Sequence, residues 1–119
     1  MLDAAIVAKL YIELWNETDP KRRARLLEAE WEASASYIDP MMRGSGRGQI
    51  GDLIGGVHTR FPGYRFKLIH HPSGFDEFVR FSWSLGPAEG EAPIEGSDVV
   101  VVKGDKISQV IGFLDKVPQ

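Results

Sequence analysis

Asp39 is the residue whose surroundings point most directly to chemistry. It lies in residues 36–42 (SYIDPMM), between a tyrosine, an isoleucine and two methionines. Pro40 fixes its own φ and restricts that of Asp39, which allows the segment to direct an acid into an apolar pocket. The simpler interpretation is that Asp39 and Pro40 only end a strand and begin a turn, since both residues are common turn formers.

Two more residues could take part in proton chemistry. Asp98 begins residues 98–102 (DVVVV), where strand alternation places it on the same face as Val100 and Val102. Apolar residues on both faces are typical of a central, covered strand, in which burial would raise the pKa of Asp98 and could keep it protonated as a hydrogen-bond donor. Alternatively, Asp98 lies at the mouth of the strand and stays solvated. Tyr11, within an apolar helical stripe, either packs in the core or brings a phenol donor into a pocket.

Three helices are predicted in the first half of the chain. The first runs from residue 2 to about residue 16, with apolar residues at three- and four-residue spacing. The second begins at Pro20, with Asp19 as its N-cap, and ends near residue 30. The third covers residues 49–60, after a glycine-rich break at residues 45–48. It contains three glycines, which disfavour a helix and indicate close packing against a neighbouring backbone: Gly51, Gly55 and Gly56.

A change to a two-residue period predicts a sheet in the second half. A strand around Tyr37 precedes the third helix, and four more strands follow, at residues 65–71, 77–85, 94–103 and 107–115. The links at residues 72–74, 86–93 and 104–105 are short, so they predict antiparallel neighbours. Helices followed by a meander indicate an α+β fold, in a single domain over residues 1–119.

The composition excludes several classes of function. The 119 residues carry a net charge of −3, and the one basic cluster, residues 21–25 (KRRAR), is interpreted as the solvated face of a helix and not as a nucleic-acid site. There is no cysteine, and no apolar run is long enough to cross a membrane. The N-terminus lacks signal-peptide features, so a cytoplasmic protein is expected. His70 and His71 have no third ligand nearby, so no metal site is expected. The sequence contains no nucleotide-binding motif, so no cofactor is expected either.

The order of these segments resembles the SnoaL-like branch of the nuclear transport factor 2-like superfamily over nearly the whole chain. Residues 11–16 (YIELWN), followed by Asp19, resemble the first-helix motif of ketosteroid isomerases, whose tyrosine donates to the substrate oxygen. Asp39 and Pro40 resemble the general-base Asp-Pro of that family, and Asp98 resembles the second, protonated acid of its oxyanion hole. The resemblance implies catalytic roles for three residues: Tyr11, Asp39 and Asp98.

The resemblance also implies a cone-shaped, cystatin-like fold, with three N-terminal helices on a strongly curved, mainly antiparallel sheet around a hydrophobic pocket. Proteins of this kind commonly form homodimers through the outer face of the sheet. Asp115 departs from the isomerases and is more similar to acidic positions of SnoaL-type polyketide cyclases and epoxide hydrolases. The candidate residues for binding a small hydrophobic ligand are mainly aromatic: Trp15, Trp31, Tyr37, Met41, Phe61, His70, Trp83, Phe113 and Asp115.

Three functional hypotheses follow. The first is cofactor-independent proton transfer on a small hydrophobic carbonyl compound, an isomerisation or an aldol-type cyclisation, with Asp39 as base and with Tyr11 and neutral Asp98 as donors to the enolate oxygen. The second is a non-catalytic ligand-binding or dimerisation module. The third is water activation of the epoxide-hydrolase type, for which Arg80 is the only arginine in the middle of a predicted strand. Convergence of Tyr11, Asp39 and Asp98 on one enclosed space would favour chemistry.

Overall fold

Three helices pack on a single open sheet in the protein, whose computed structural model describes residues 3–118. The sheet has the strand order β2-β1-β6-β5-β4-β3. The α+β class and the placement of the helices before the meander, both predicted from hydrophobic spacing, are confirmed. In chain order the elements are α1 (Ala4–Asn16), α2 (Pro20–Glu30), β1 (Trp31–Ile38), β2 (Arg43–Ser45), α3 (Gly46–Arg60), β3 (Tyr64–Phe75), β4 (Phe78–Pro87), β5 (Ile94–Lys103) and β6 (Lys106–Lys116).

Aspartate caps fix where the first two helices begin. Asp3 precedes α1, and its Oδ1 accepts from the backbone N–H groups of Ala5 at 3.0 Å and Ile6 at 3.3 Å. Asp19 caps α2 in the same way, because its Oδ2 accepts from the N–H of Arg22 at 3.1 Å. The predicted N-cap and the predicted start of α2 are therefore confirmed.

The third helix begins at Gly46, earlier than the predicted start at Gln49. The side chain of Gln49 stabilises this first turn, since its Oε1 accepts from the backbone N–H of Ser45 at 2.9 Å. The glycine-rich step at residues 45–48 was predicted to break the chain. Ser45 ends β2 there and Gly46, with a φ of 84°, begins α3, so the step joins a strand directly to a helix without a separate loop.

Two glycines of α3 lie against side chains of α2. A methyl group on Gly51 would lie 3.3 Å from Cδ1 of Leu27, and one on Gly55 would lie 2.9 Å from Nη2 of Arg23. These glycines make room for side chains and not, as predicted, for a neighbouring backbone. Arg23 is buried, although the basic cluster was predicted to face water, and its Nη1 donates to the carbonyl of Glu17 at 2.9 Å. The space beside Gly55 thus holds a guanidinium that caps the end of α1.

The sheet joins distant parts of the chain through β6. This strand lies between β5, with which it pairs antiparallel, and β1, with which it pairs parallel. β1 also pairs with the short β2, which the sequence did not predict. The neighbours β3–β4 and β4–β5 are antiparallel, as their short links predicted. The parallel pairing brings the end of β1, and therefore Asp39, beside β6.

The third strand is longer than predicted. It continues through residues 72–74, which were predicted as a link. Its register with β4 shifts between Ile69 and Ser73, where His70 has a φ of 65°, so the strand is irregular there but does not end. The turn into β4 lies at Asp76, which has a φ of 54°.

The two faces of the sheet differ in what they carry. The inner face packs on the helices, and alternation places Phe81, Trp83, Asp98 and Val100 there, all of them buried. Asp98 therefore occupies a covered position, as one of the two interpretations of the sequence predicted. The opposite face, called the outer face below, is more exposed and includes Arg80, Ser82, Ser97, Phe113 and Asp115.

Candidate active site

Asp98 forms the most deeply buried acidic group of the candidate site. Its side chain is 2% exposed, and its Oδ2 accepts from the hydroxyl of Tyr11 at 2.5 Å. Burial raises the pKa of Asp98 to about 6. The Tyr11 hydroxyl and the nearby Trp83 indole lower this pKa, because they donate to the carboxylate, and the charge of Asp39 raises it further. Burial likewise raises the pKa of Tyr11, which keeps its phenol protonated as a donor. The pair joins α1 to the centre of β5.

Asp39 forms a second carboxyl–tyrosine pair. Its Oδ2 accepts from the hydroxyl of Tyr37 at 2.6 Å. Its Oδ1 accepts from the backbone N–H groups of Met41 at 2.8 Å and Met42 at 2.9 Å, and its own N–H donates to the Met42 carbonyl at 2.9 Å. The simpler interpretation from the sequence is thus correct in part, because Asp39 does stabilise a turn. It remains half-buried and hydrogen-bonded to a core tyrosine.

Gly112 of β6 lies between the two pairs. A methyl group on Gly112 would lie 2.8 Å from Oδ1 of Asp98, 3.2 Å from Cβ of Asp39 and 3.6 Å from the hydroxyl oxygen of Tyr37. The register explains this meeting, since Asp98 pairs with Gly112 across β5 and β6, and β6 pairs with the end of β1. Only a residue without a side chain allows both acids to approach from opposite sides. Gly112 was not predicted from the sequence to be part of the site, although a glycine inside a strand often marks such a close approach.

The interior around these pairs is filled with aromatic rings. Tyr11 packs against Phe81 with ring centroids 4.9 Å apart and against Trp31 at 6.0 Å. Trp15 packs against Tyr37 at 5.4 Å. Four residues predicted to bind ligand therefore surround the three predicted to act in catalysis: Trp15, Trp31, Tyr37 and Trp83.

The other predicted ligand-binding residues lie elsewhere. Met41 is 70% exposed in the turn after Asp39, and Phe61 follows α3 and stacks on Tyr64 with centroids 5.3 Å apart. His70 is exposed in the irregular part of β3. Phe113 is 55% exposed on the outer face. None of these side chains joins the buried aromatic cluster around Asp98, although Phe61 packs at its edge.

Asp115 belongs to a polar chain on the outer face. Its Oδ2 accepts from the hydroxyl of Ser97 at 2.6 Å, and Ser97 bonds in turn to Ser82 at 2.9 Å. These residues line an open cleft of about 580 Å³, together with Arg80 and Phe113. Asp115 and Asp98 therefore lie on opposite faces of the sheet.

A larger cleft, of about 930 Å³, opens at one end of the molecule. Its floor is apolar and includes Val7, Leu10 and Trp31, and the cleft reaches Tyr11. Its rim is formed by the beginning of α1 and by the turns that join β3 to β4 and β5 to β6. A ligand in this cleft would lie against the ring of Tyr11.

Two buried polar atoms lack a hydrogen-bond partner among residues 3–118. They are Oδ1 of Asp98, which faces Gly112, and Nε1 of Trp15. Buried polar groups are nearly always paired, so each unpaired one calls for a physical explanation. Both belong to the interior that holds the predicted catalytic residues.

The described residues contain neither a metal-binding cluster nor a membrane-spanning helix. Among residues 3–118, no three histidine or acidic side chains are grouped so that they could hold a metal ion. In the same residues, no helix is long and apolar enough to cross a membrane.

An open, mostly antiparallel sheet packed on three N-terminal helices is the nuclear transport factor 2-like fold. No known family model matches the sequence, and no curated protein matches it. A solved protein of the SnoaL-like family from Agrobacterium tumefaciens strain C58, for which isomerase activity is proposed, is 39% identical; the alignment covers 94% of this chain and 97% of that one, with a TM-score of 0.91. The chain belongs to the SnoaL-like family.

More distant structures share the fold. A protein from Kribbella flavida, proposed to be a ketosteroid isomerase, has a TM-score of 0.72 at 16% identity, with 98% of this chain and 80% of that one covered. A protein from Sinorhizobium meliloti, proposed to be a polyketide cyclase, has a TM-score of 0.72 at 10% identity, with 93% and 99% covered. At these identities the likeness establishes the fold alone.

Proposed function

We propose that the protein catalyses cofactor-independent proton transfer on a small hydrophobic carbonyl compound. The observation that carries this proposal is the convergence of Asp39 and Asp98 at Gly112, each hydrogen-bonded to its own tyrosine. Two acids in different environments can take different protonation states, which is what acid–base catalysis needs. The isomerase activity proposed for the Agrobacterium relative supports the same class of reaction.

The proposed step assigns one role to each acid. Ionised Asp39 accepts a proton from the carbon next to the carbonyl group, and the electron pair of that C–H bond moves toward the carbonyl oxygen. Asp98, whose pKa is raised to about 6 by burial, donates a hydrogen bond to that oxygen in its protonated form as the negative charge develops. Return of the proton from Asp39 to another carbon gives an isomer. In the aldol-type branch the carbanion attacks a second carbonyl carbon, the π electron pair moves to that carbonyl oxygen, and the resulting alkoxide takes the proton from Asp39. Neither branch needs an oxidant or a reductant.

Tyr11 acts through Asp98 in the ligand-free protein. Its hydroxyl donates to Oδ2 and thereby leaves Oδ1 of Asp98 facing Gly112 without a partner. A ligand oxygen beside Oδ1 would satisfy this buried atom. For Tyr11 to donate directly to the ligand, its hydroxyl must leave Oδ2 of Asp98 and bond to the ligand oxygen instead.

The cleft that reaches Tyr11 offers a route for the ligand. Its floor is apolar, which fits a hydrophobic carbonyl compound, and it leads toward the Tyr11–Asp98 pair. Because the interior is closely packed by aromatic rings, the substrate is small, and side chains at the base of the cleft move to admit it.

The second candidate function is a non-catalytic ligand-binding or dimerisation module. The observation that favours it is the dense aromatic packing around Asp98, combined with the turn-forming hydrogen bonds of Asp39. Water activation of the epoxide-hydrolase type would need an arginine beside the acids of the site. Arg80 is instead exposed on the outer face, which argues against this reaction at Asp39 and Asp98.

The replacement Asp39→Asn tests the proposal. An asparagine side chain can still accept from the Met41 and Met42 N–H groups, but it cannot take up the substrate proton. We expect the wild-type protein to accelerate exchange of the α-protons of pentan-2-one for deuterium, followed by NMR, and Asp39→Asn to reduce that acceleration by about 100-fold or more.

Asp115→Asn is the matched control, since it alters a carboxyl group on the outer face of the same sheet. It should keep the wild-type exchange rate. If the wild-type protein and Asp39→Asn exchange the ketone protons equally fast, the chain is a binding or dimerisation module.

A further inference from the structure

The cleft of about 930 Å³ at one end of the molecule combines an apolar floor with a charged rim. Val7, Leu10 and Trp31 lie on the floor. Ile6 lines the same cleft and is 56% exposed, although its side chain is apolar. Apolar side chains that face an open cleft offer contact area to an apolar ligand. The floor thus defines the hydrophobic part of a ligand, and the rim defines what else the ligand carries.

The rim carries mostly negative charge. Among the described residues that line the cleft, one is basic, Lys103, and five are acidic: Asp3, Glu30, Asp76, Glu77 and Asp105. Five negative charges against one positive charge leave an excess of four, whereas the whole chain has a net charge of −3. More net negative charge is therefore concentrated at this one rim than the chain carries overall.

Separate parts of the chain bring these acids together. They come from the N-cap of α1, the last residue of α2, the β3–β4 turn and the β5–β6 turn. The β3–β4 turn is tied to the end of β5, because the N–H of Val102 donates to the carbonyl of Glu77 at 2.8 Å. No three acidic side chains among residues 3–118 are grouped so that they could hold a metal ion. The rim therefore acts through its electric field over the whole cleft, which suits an organic cation.

We propose that this cleft binds amphipathic cations, in which a short alkyl or aromatic group is joined to a protonated amine. The apolar group lies on the floor against Leu10 and Trp31, and the ammonium group stays at the rim, where it keeps part of its water. A cleft with low-dielectric walls focuses the field of its charges, so the rim attracts a cation and repels a carboxylate of the same shape. This inference concerns binding, goes beyond proton transfer and does not depend on it.

Hexylamine, hexanol and hexanoate test the charge preference, because they share one alkyl chain and differ in charge at pH 7. Binding is followed in ¹H–¹⁵N NMR spectra through the backbone amide of Gly104, which lines the cleft, with the amide of Gly63, between α3 and β3, as the reference. We expect hexylamine to bind about tenfold more tightly than hexanol at low salt, and hexanoate to bind more weakly than hexanol. Salt at about 0.5 M should reduce these differences, because its ions screen the exposed carboxylates.

A double replacement, Asp76→Asn with Glu77→Gln, removes two charges from the rim and keeps the size of both side chains. Asparagine tolerates the φ of 54° at Asp76. The affinity for hexylamine should fall about fivefold, and that for hexanol should stay the same. Glu89→Gln with Glu91→Gln is the matched control. It removes two charges from the exposed link between β4 and β5, at the other end of β5, and should change neither affinity.

Equal affinities of the three probes, or a Gly104 resonance that responds to none of them, would overturn the proposal. So would full hexylamine affinity in the rim variant, or an equal loss in the control variant, which would show that the charge of the whole protein acts and not the rim. The proposed function is tested separately, since exchange of pentan-2-one protons in Asp39→Asn involves none of the rim acids.

Discussion

Asp98 shows how strongly one residue can depend on its neighbours. A carboxyl group that is 2% exposed has lost nearly all its water, and the Tyr11 hydroxyl replaces only one of its hydrogen bonds. Burial therefore raises its pKa to about 6, and below that pH the carboxyl group is mainly neutral and can donate a hydrogen bond. The sequence predicted the buried position from the valines beside Asp98, but the unpaired Oδ1 depends on how α1 and β6 meet at that point, which no local pattern contains.

The pH dependence of stability should report the burial of Asp98. Its pKa is raised from 3.8 to about 6 in the folded protein, so between these values the folded state holds a proton that the unfolded state has lost. The contribution to stability is complete below pH 3.8 and is lost as the pH rises through about 6, a change of about 3 kcal/mol. Urea unfolding from pH 3.5 to 7 should show wild type losing this amount relative to Asp98→Asn. Parallel curves for the two proteins would contradict a raised pKa.

At the scale of elements, the pairing of β6 with both β1 and β5 brings Asp39 and Asp98 close together. Helix boundaries were largely predictable because caps and apolar spacing are local signals, as Asp19 and Pro20 show. The parallel pairing of β1 with β6 was not predictable, because the two strands are far apart in sequence and the pairing is fixed by tertiary packing. The same holds for β3, whose irregular part at His70 continues the strand where proline and glycine predicted a turn.

Gly112→Ala should disrupt the site from within β6. The added methyl group would lie 2.8 Å from Oδ1 of Asp98, closer than carbon and oxygen normally approach, so the carboxyl group or the strand must move. We expect a loss of about 1–3 kcal/mol in the free energy of unfolding and of most proton-exchange activity. Gly56→Ala is the control: nothing lies within 4 Å of its added methyl group in α3, so it should stabilise by about 0.5–1 kcal/mol. Equal effects of the two replacements would argue against a specific role for Gly112.

At the scale of the whole molecule, the outer face of the sheet exposes the ring of Phe113 beside polar side chains. Phe113 is 55% exposed there, beside the polar chain of Ser82, Ser97 and Asp115. Burying an exposed ring of this size is a common driving force for association. The homodimer implied by the family resemblance would use this face and leave the inner site closed to the partner.

Phe113→Glu should convert such a dimer to a monomer, because it places a charge in the contact. Light scattering after size-exclusion chromatography would show the molar mass falling by half. Ile6→Glu is the control, since Ile6 is 56% exposed on α1 and not on the sheet. A wild-type protein that already has the mass of one chain would show that this face is free in solution.

The central place of β6 also has a consequence for how the protein is made. Among residues 3–118, every other helix and strand precedes β6, yet β1 and β5 reach each other in the sheet only through it. Until the ribosome has released this strand, β1–β2 and the β3–β5 meander are two separate pieces with open edges. Because its key pairings are non-local, the chain is expected to fold slowly for its length, and the nascent pieces expose strand edges during synthesis. Gly112 therefore lies in the strand whose pairing both joins the two parts of the sheet and brings together the acids of the candidate site.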